Sequence, residues 1–141
     1  IAEKFDNGME YFNSYGGNPV SCAIGHAVLK IIDDEDLQSR SEKVGKKLKS
    51  MLNNLQKNHE IIGEVRGMGL FIGVEFIDRG NKLKPNSTDA TSIVNAMKNR
   101  GILLSVDGPD KNVIKIKPPM VFNDENATFL VENLEATLSD Y

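Results

Sequence analysis

The chain has one cysteine, Cys22, in 141 residues. A single thiol excludes an intrachain disulfide framework and makes a reducing compartment the easier setting. No apolar run approaches the ~20 residues that a membrane-spanning helix needs. Basic charge is not in excess: 17 Lys and Arg stand against 20 Asp and Glu, a formal net charge of -3. That balance gives no electrostatic attraction to nucleic acid or to an anionic membrane, so neither is expected as a partner. No basic-then-apolar leader opens the chain, and the expectation is an intracellular protein, cytoplasmic or mitochondrial, not secreted. The two histidines, His26 and His59, have no cysteine or acidic partner at metal-ligand spacing, so no metal site is expected. Gly-x-Ser-x-Gly, a Walker loop and Gly-x-Gly-x-x-Gly after a strand are all missing, which removes the usual sequence marks of hydrolase, nucleotide and dinucleotide sites.

What is present is ordinary for a globular domain: 40% hydrophobic and 26% charged residues. The first residue is Ile1, and the chain opens inside what reads as a structured segment, giving the expectation of an excised piece. Ile1, Ala2 and Phe5 have helical spacing before a stop at Gly8. From 19 to about 33, Val20, Ile24, Ala27, Val28, Ile31 and Ile32 fall on one helical face. His26 lies beside that face, and Cys22 is expected as a small buried thiol. Asp33 to Asp36 supply acid to the start of a second helix, from 36 to about 57, striped by Leu37, Val44, Leu48, Met51, Leu52 and Leu55. Its lysines read as a solvated face.

The period then changes. Residues 64–78 alternate as a strand with Gly67 and Gly69 at its start. A polar loop over 78–87 is expected to project into solvent, and Ser87 or Thr88 to cap the next helix, which ends at Arg100-Gly101. Strands over 102–106 and 112–117 flank the turn Asp107-Gly108-Pro109-Asp110-Lys111, as a hairpin would. Asn123 caps a last helix. The order implies an α+β fold: a small, mainly antiparallel sheet covered on one face by about four helices.

Two features point toward anions. In Tyr11 to Pro19, Asn18 is a good N-cap, Pro19 suits the first helical position, and Gly16 and Gly17 allow close backbone approach beside the Ser14 hydroxyl. The alternative is simply a tight loop before a well-capped helix. Arg66, flanked by glycine-rich sequence, offers a fork of donors for a carboxylate or phosphate; the alternative is a strand-edge arginine paired with a surface acid. No acid–base pair stands out.

Ser14-Tyr15-Gly16-Gly17-Asn18-Pro19 resembles the Thr-Phe-Gly-Gly-Asn-Pro segment of class III aminotransferases, and Arg66-Gly67-Met68-Gly69-Leu70 resembles their Arg-Gly-x-Gly-Leu strand. Gly101-Ile102-Leu103-Leu104, Asp107-Gly108-Pro109 and Lys115-Ile116-Lys117-Pro118-Pro119-Met120 resemble the alanine–glyoxylate aminotransferase 2-like branch, which includes phospho-lyases. The resemblance implies a fold-type I enzyme that uses pyridoxal 5'-phosphate, as a homodimer, to move an amino group from an amino donor to a 2-oxo acid. It makes Ser14, with Gly16, Gly17 and Asn18, the cofactor-phosphate loop, and Arg66 the substrate-carboxylate residue. Here Ser14 stands for the more frequent Thr and Tyr15 for Phe.

No lysine sits in the context of the family's Schiff-base lysine, and no catalytic residue is assigned. The expectation is therefore residues 1–18 as a segment linking from a missing large domain, and 19–141 as a C-terminal small domain, inactive alone. Two alternatives are a phospho-lyase acting on an amino-alkyl phosphate, and a stand-alone non-catalytic α+β binding module.

Overall fold

The structure, a computed structural model, describes residues 2–9 and 11–140. The chain divides into two compact units, residues 1–35 and 36–141. The boundary after residue 18 expected from sequence does not coincide with this division.

The first unit holds a short helix α1 (Ala2–Phe5) and the helix α2 (Pro19–Asp34). Ile1, grouped with the first helix by its spacing, lies outside the described residues. Asn18 caps α2: its Oδ1 accepts from the Ser21 amide at 2.9 Å, and Pro19 occupies the first helical position. The acidic run does not open the next helix as expected, since α2 continues through Asp33 and Asp34. None of the residues of α2 is buried, and Val20, Ile24 and Val28 are all at least half exposed. Cys22 is exposed as well, contrary to the buried thiol expected, because the apolar face beside it has nothing packed on it in this unit.

The second unit opens with Asp36 in the left-handed region, φ 47°, which breaks the helical path before α3 (Leu37–Asn58). Leu37, Val44, Leu48, Leu52 and Leu55 are buried along one stripe of α3, as their spacing predicts. The strand expected over 64–78 is two strands, β1 (Ile62–Met68) and β2 (Phe71–Asp78), folded into an antiparallel pair. Alternation persists on both sides of the reversal, which is why a single strand looked adequate. The reversal falls at Gly69, φ 54°. The polar stretch after β2 is also partly strand: β3 (Asn81–Pro85) pairs with the end of β2 and is exposed throughout. Asn86, rather than Ser87 or Thr88, caps α4 (Ser87–Asn99).

Two short strands, β4 (Ser105–Asp107) and β5 (Val113–Ile116), form the expected hairpin, and α5 (Asp124–Leu138) follows with Asn123 and Asn126 in a reciprocal cap. The sheet is antiparallel throughout, in the order β1-β2-β5-β4 with β3 beside β2. Ile72, Val74 and Phe76 of β2, with Ile114 and Ile116 of β5, are buried. They form one core with the inner stripes of α3, α4 and α5. The fold is α+β, and three helices belong to the unit that holds the sheet.

Helix α3 approaches the β1–β2 turn at a pair of glycines. A Cβ on Gly45 would lie 2.0 Å from the Gly69 carbonyl oxygen. Alanine there gains about 1 kcal/mol in helix propensity. Overpacking against backbone, which cannot rotate aside, costs about 1–3 kcal/mol or more. Gly45→Ala is therefore expected to destabilise the protein and lower its urea midpoint; a raised midpoint would show that the turn yields freely.

Candidate anion-binding site

The register of β2 with its two neighbours builds a charged face on the side of the sheet away from the core. Period-two alternation puts Gly73 and Glu75 on the face opposite Ile72, Val74 and Phe76. Gly73 pairs with Arg66 of β1 on one side and with Lys115 of β5 on the other. Two cations thus stand in one row across the sheet, separated by a residue with no side chain. The next row carries acids: Glu75 pairs with Glu64 on one side and Val113 on the other, and Asp107 pairs with Val113.

The two rows are bonded to one another. Arg66 Nη1 donates to Glu64 Oε2 at 2.7 Å and also to Glu75 Oε2. The bond to Glu75 raises the Arg66 pKa above its ordinary value, partial burial opposes it, and Glu64 adds to it. Lys115 Nζ donates to Asp107 Oδ2 at 2.6 Å, and the Gly108 amide donates to Asp107 Oδ1 at 2.8 Å. The Lys115 ammonium, with the Gly108 amide second, holds the Asp107 carboxyl below the usual carboxylate range. Glu75 is the anchored acid: its other oxygen accepts from Asn112 Nδ2 at 3.4 Å, and buried Asn112 is itself bonded to the Phe76 carbonyl oxygen. Glu64 is 62% exposed at its side chain, Asp107 55%, so these pairs face water. Exposed pairs contribute only about 0–1 kcal/mol. A ligand anion can therefore take the place of either acid at small cost.

Arg66, Lys115, Asp107 and Gly108 line a groove of about 460 Å³. Met68, Phe71 and Val113 supply its apolar wall, Arg66 and Lys115 its cations. Gly73 leaves its floor open, since a Cβ there would sit 3.0 Å from Val113 Cγ1. Arg66 was legible from its glycine-rich setting. Lys115 was not singled out, although alternation with Ile114 and Ile116 already places it on the outer face; nor was Asp107, which read as turn chemistry alone.

The other predicted residues lie in the first unit. Asn13 folds the loop: its Oδ1 accepts from the Tyr15 amide at 3.0 Å and the Gly16 amide at 3.2 Å. The Asn18 side chain is also committed, accepting from Ser21 and donating to the Tyr15 carbonyl oxygen at 2.7 Å. Of the four positions, Ser14 and Gly17 keep polar groups free: neither the Ser14 hydroxyl nor the Gly17 amide has a partner among the described residues. Gly17 is at φ 72°, a conformation that suits glycine. Among the described residues no cluster of His, Cys, Asp and Glu suits a metal, and no helix is long and apolar enough to cross a membrane.

The aminotransferase class-III family model matches residues 1–138. The chain is 43% identical over 140 residues to an ethanolamine-phosphate phospho-lyase homolog 1 of Caenorhabditis elegans, covering 99% of this chain and 30% of that protein. It is 48% identical over 129 residues to an alanine–glyoxylate aminotransferase 2-like protein of Drosophila melanogaster, covering 90% of this chain and 26% of that protein. Among solved structures, a phospholyase from Arthrobacter in complex with phosphoethanolamine superposes with a TM-score of 0.92 at 36% identity, covering 99% of this chain and 33% of the other. The chain thus spans about a third or less of the length of these relatives. With the family model matched along nearly all of its length, from the glycine-rich loop to the last helix, the chain belongs to the class III aminotransferase family.

Proposed function

We propose that this chain is the C-terminal small domain of a pyridoxal-phosphate-dependent enzyme, and that the parent eliminates phosphate from an amino-alkyl phosphate. The observation that carries this reading is the placement of Arg66 and Lys115 on either side of Gly73, above an apolar wall. A phosphate monoester carries a charge of about −1.5 to −2 at neutral pH and offers three acceptor oxygens. Two cations in one row suit that group, where a carboxylate needs only one. The likeness to a phospholyase in complex with phosphoethanolamine supports the same choice.

Transamination between an amino donor and a 2-oxo acid is the second reading. The family and the Drosophila relative's name favour it, and Arg66 alone would then hold a substrate carboxylate. In either reaction the large domain supplies the anchoring lysine, the protein works as a homodimer inside the cell, and the small domain orients the substrate's anionic end. Bound pyridoxal phosphate would supply an electron sink for charge that develops next to the amine. The residues here fit its phosphate group: the Ser14 hydroxyl and the Gly17 amide, near the start of α2, have no hydrogen-bond partner among the described residues. Tyr15 and Gly16 direct their amides to Asn13, and Asn18 holds the helix start that shapes the loop.

In the full-length enzyme, Arg66→Ala and Lys115→Ala should each raise the phosphoethanolamine KM about ten- to hundredfold, the range given by charge-assisted bonds of roughly 1.5–3 kcal/mol. Steady-state kinetics unchanged in both variants would remove the groove from the substrate site. Release of phosphate and ammonia without a 2-oxo acid supports elimination; strict dependence on a 2-oxo acid establishes transamination instead. Ser14→Ala should weaken cofactor retention about fivefold, the effect of one hydrogen bond of about 1 kcal/mol. Cofactor absorbance after dialysis measures it, and wild-type retention would exclude Ser14 from the phosphate site.

A further inference from the structure

Two cations, Arg66 and Lys115, face three carboxylates, Glu64, Glu75 and Asp107, across this sheet face. The three acids are not equivalent. Arg66 shares two of them, so it keeps one partner when the other is removed. Glu75 is tied down by buried Asn112. Lys115 has Asp107 alone among the described residues. Asp107 in turn is held by the Gly108 amide at the hairpin turn. Its charge therefore stays beside the groove even when the ion pair opens to admit a ligand.

We propose that Asp107 is a specificity-determining residue, whose fixed negative charge beside Lys115 limits how strongly the groove prefers a dianion over a monoanion. The proposal rests on the anion-binding reading of the groove given above. The physical basis is the charge product in Coulomb's law: a unit change in site charge acts twice as strongly on a dianion as on a monoanion. Opening the Lys115–Asp107 pair costs the same for either ligand, so that step cannot discriminate. The residual carboxylate charge can. With Asp107 in place, carboxylates and phosphates are kept closer in affinity than the two cations alone would leave them.

The test uses the full-length holoenzyme, in which the cofactor already fills its own phosphate site. Ethyl phosphate and propanoate are titrated calorimetrically at pH 8 and low ionic strength, where the first is a dianion, its second pKa being about 6. Both lack the amine, so neither reacts. Asp107→Asn keeps an acceptor for the Gly108 amide while removing the charge. It should tighten both anions, and ethyl phosphate about threefold more than propanoate, because the removed charge acts twice as strongly on the dianion. The preference for phosphate then rises about threefold, and Asp107→Glu returns it to the wild-type value. Added salt should shrink the difference, because these groups are exposed. A preference that stays the same or falls in Asp107→Asn would overturn the role of Asp107 and leave the groove reading standing. Failure of either anion to bind the wild-type enzyme would overturn the groove reading itself.

Discussion

The pairing of β2 with β1 on one side and β5 on the other is the constraint from which the rest follows. Because side chains alternate with period two, a slip of one residue would send Ile72, Val74 and Phe76 into water and bring Glu75 into the core. Burial of those three residues against α3, α4 and α5 therefore locks the register. The same register sets Arg66 and Lys115 in one row on the opposite face, with Gly73 between them. No separate device positions the two cations. The stability of the inner face fixes the geometry of the outer one. The close approach of Gly45 to Gly69 completes the arrangement by seating α3 against the turn that joins β1 to β2.

On the outer face, exposure decides what the electrostatics can do. In a dry interior, separating Arg66 from two carboxylates would be costly. Here Glu64 and Asp107 stand largely in water and Glu75 is partly exposed, so the pairs hold the cations in place without committing them. Glu75 differs from the others because buried Asn112, the residue before β5, donates to its second oxygen. It orients Arg66, whereas Glu64 and Asp107 can be displaced by an incoming anion. Met68, Phe71 and Val113 give the groove an apolar side, which matches a substrate with a short carbon stem and a charged end.

Much of the fold was legible in the sequence because the helices obey the 3.6-residue period and carry clear caps at Asn18 and Asn123. The strands were harder. Residues 64–78 alternate on both sides of a turn that contains no Asn-Gly or Asp-Gly pair, so the hairpin stayed hidden until Gly69 was seen at positive φ. β3 is exposed along its whole length and has no alternation to betray it. Cys22 misled for a different reason: the face beside it is apolar, yet nothing in its own unit covers that face. For the site, Arg66 announced itself by its glycines. Lys115 depends on a pairing between strands some forty residues apart, which no local pattern encodes. Ser14 and Gly17 were named with Gly16 and Asn18, and only the hydrogen bonds separate the two free donors from the two positions that shape the loop.

The central claim is that the face bearing Arg66 and Lys115 receives the anionic end of the substrate. The most direct measurement is a crystal structure of the full-length holoenzyme with phosphoethanolamine bound. The account predicts phosphate oxygens within about 3.2 Å of an Arg66 guanidinium nitrogen and of Lys115 Nζ, with Asp107 no longer in contact with that lysine. A phosphate group bound elsewhere, with both ion pairs still closed, would contradict it.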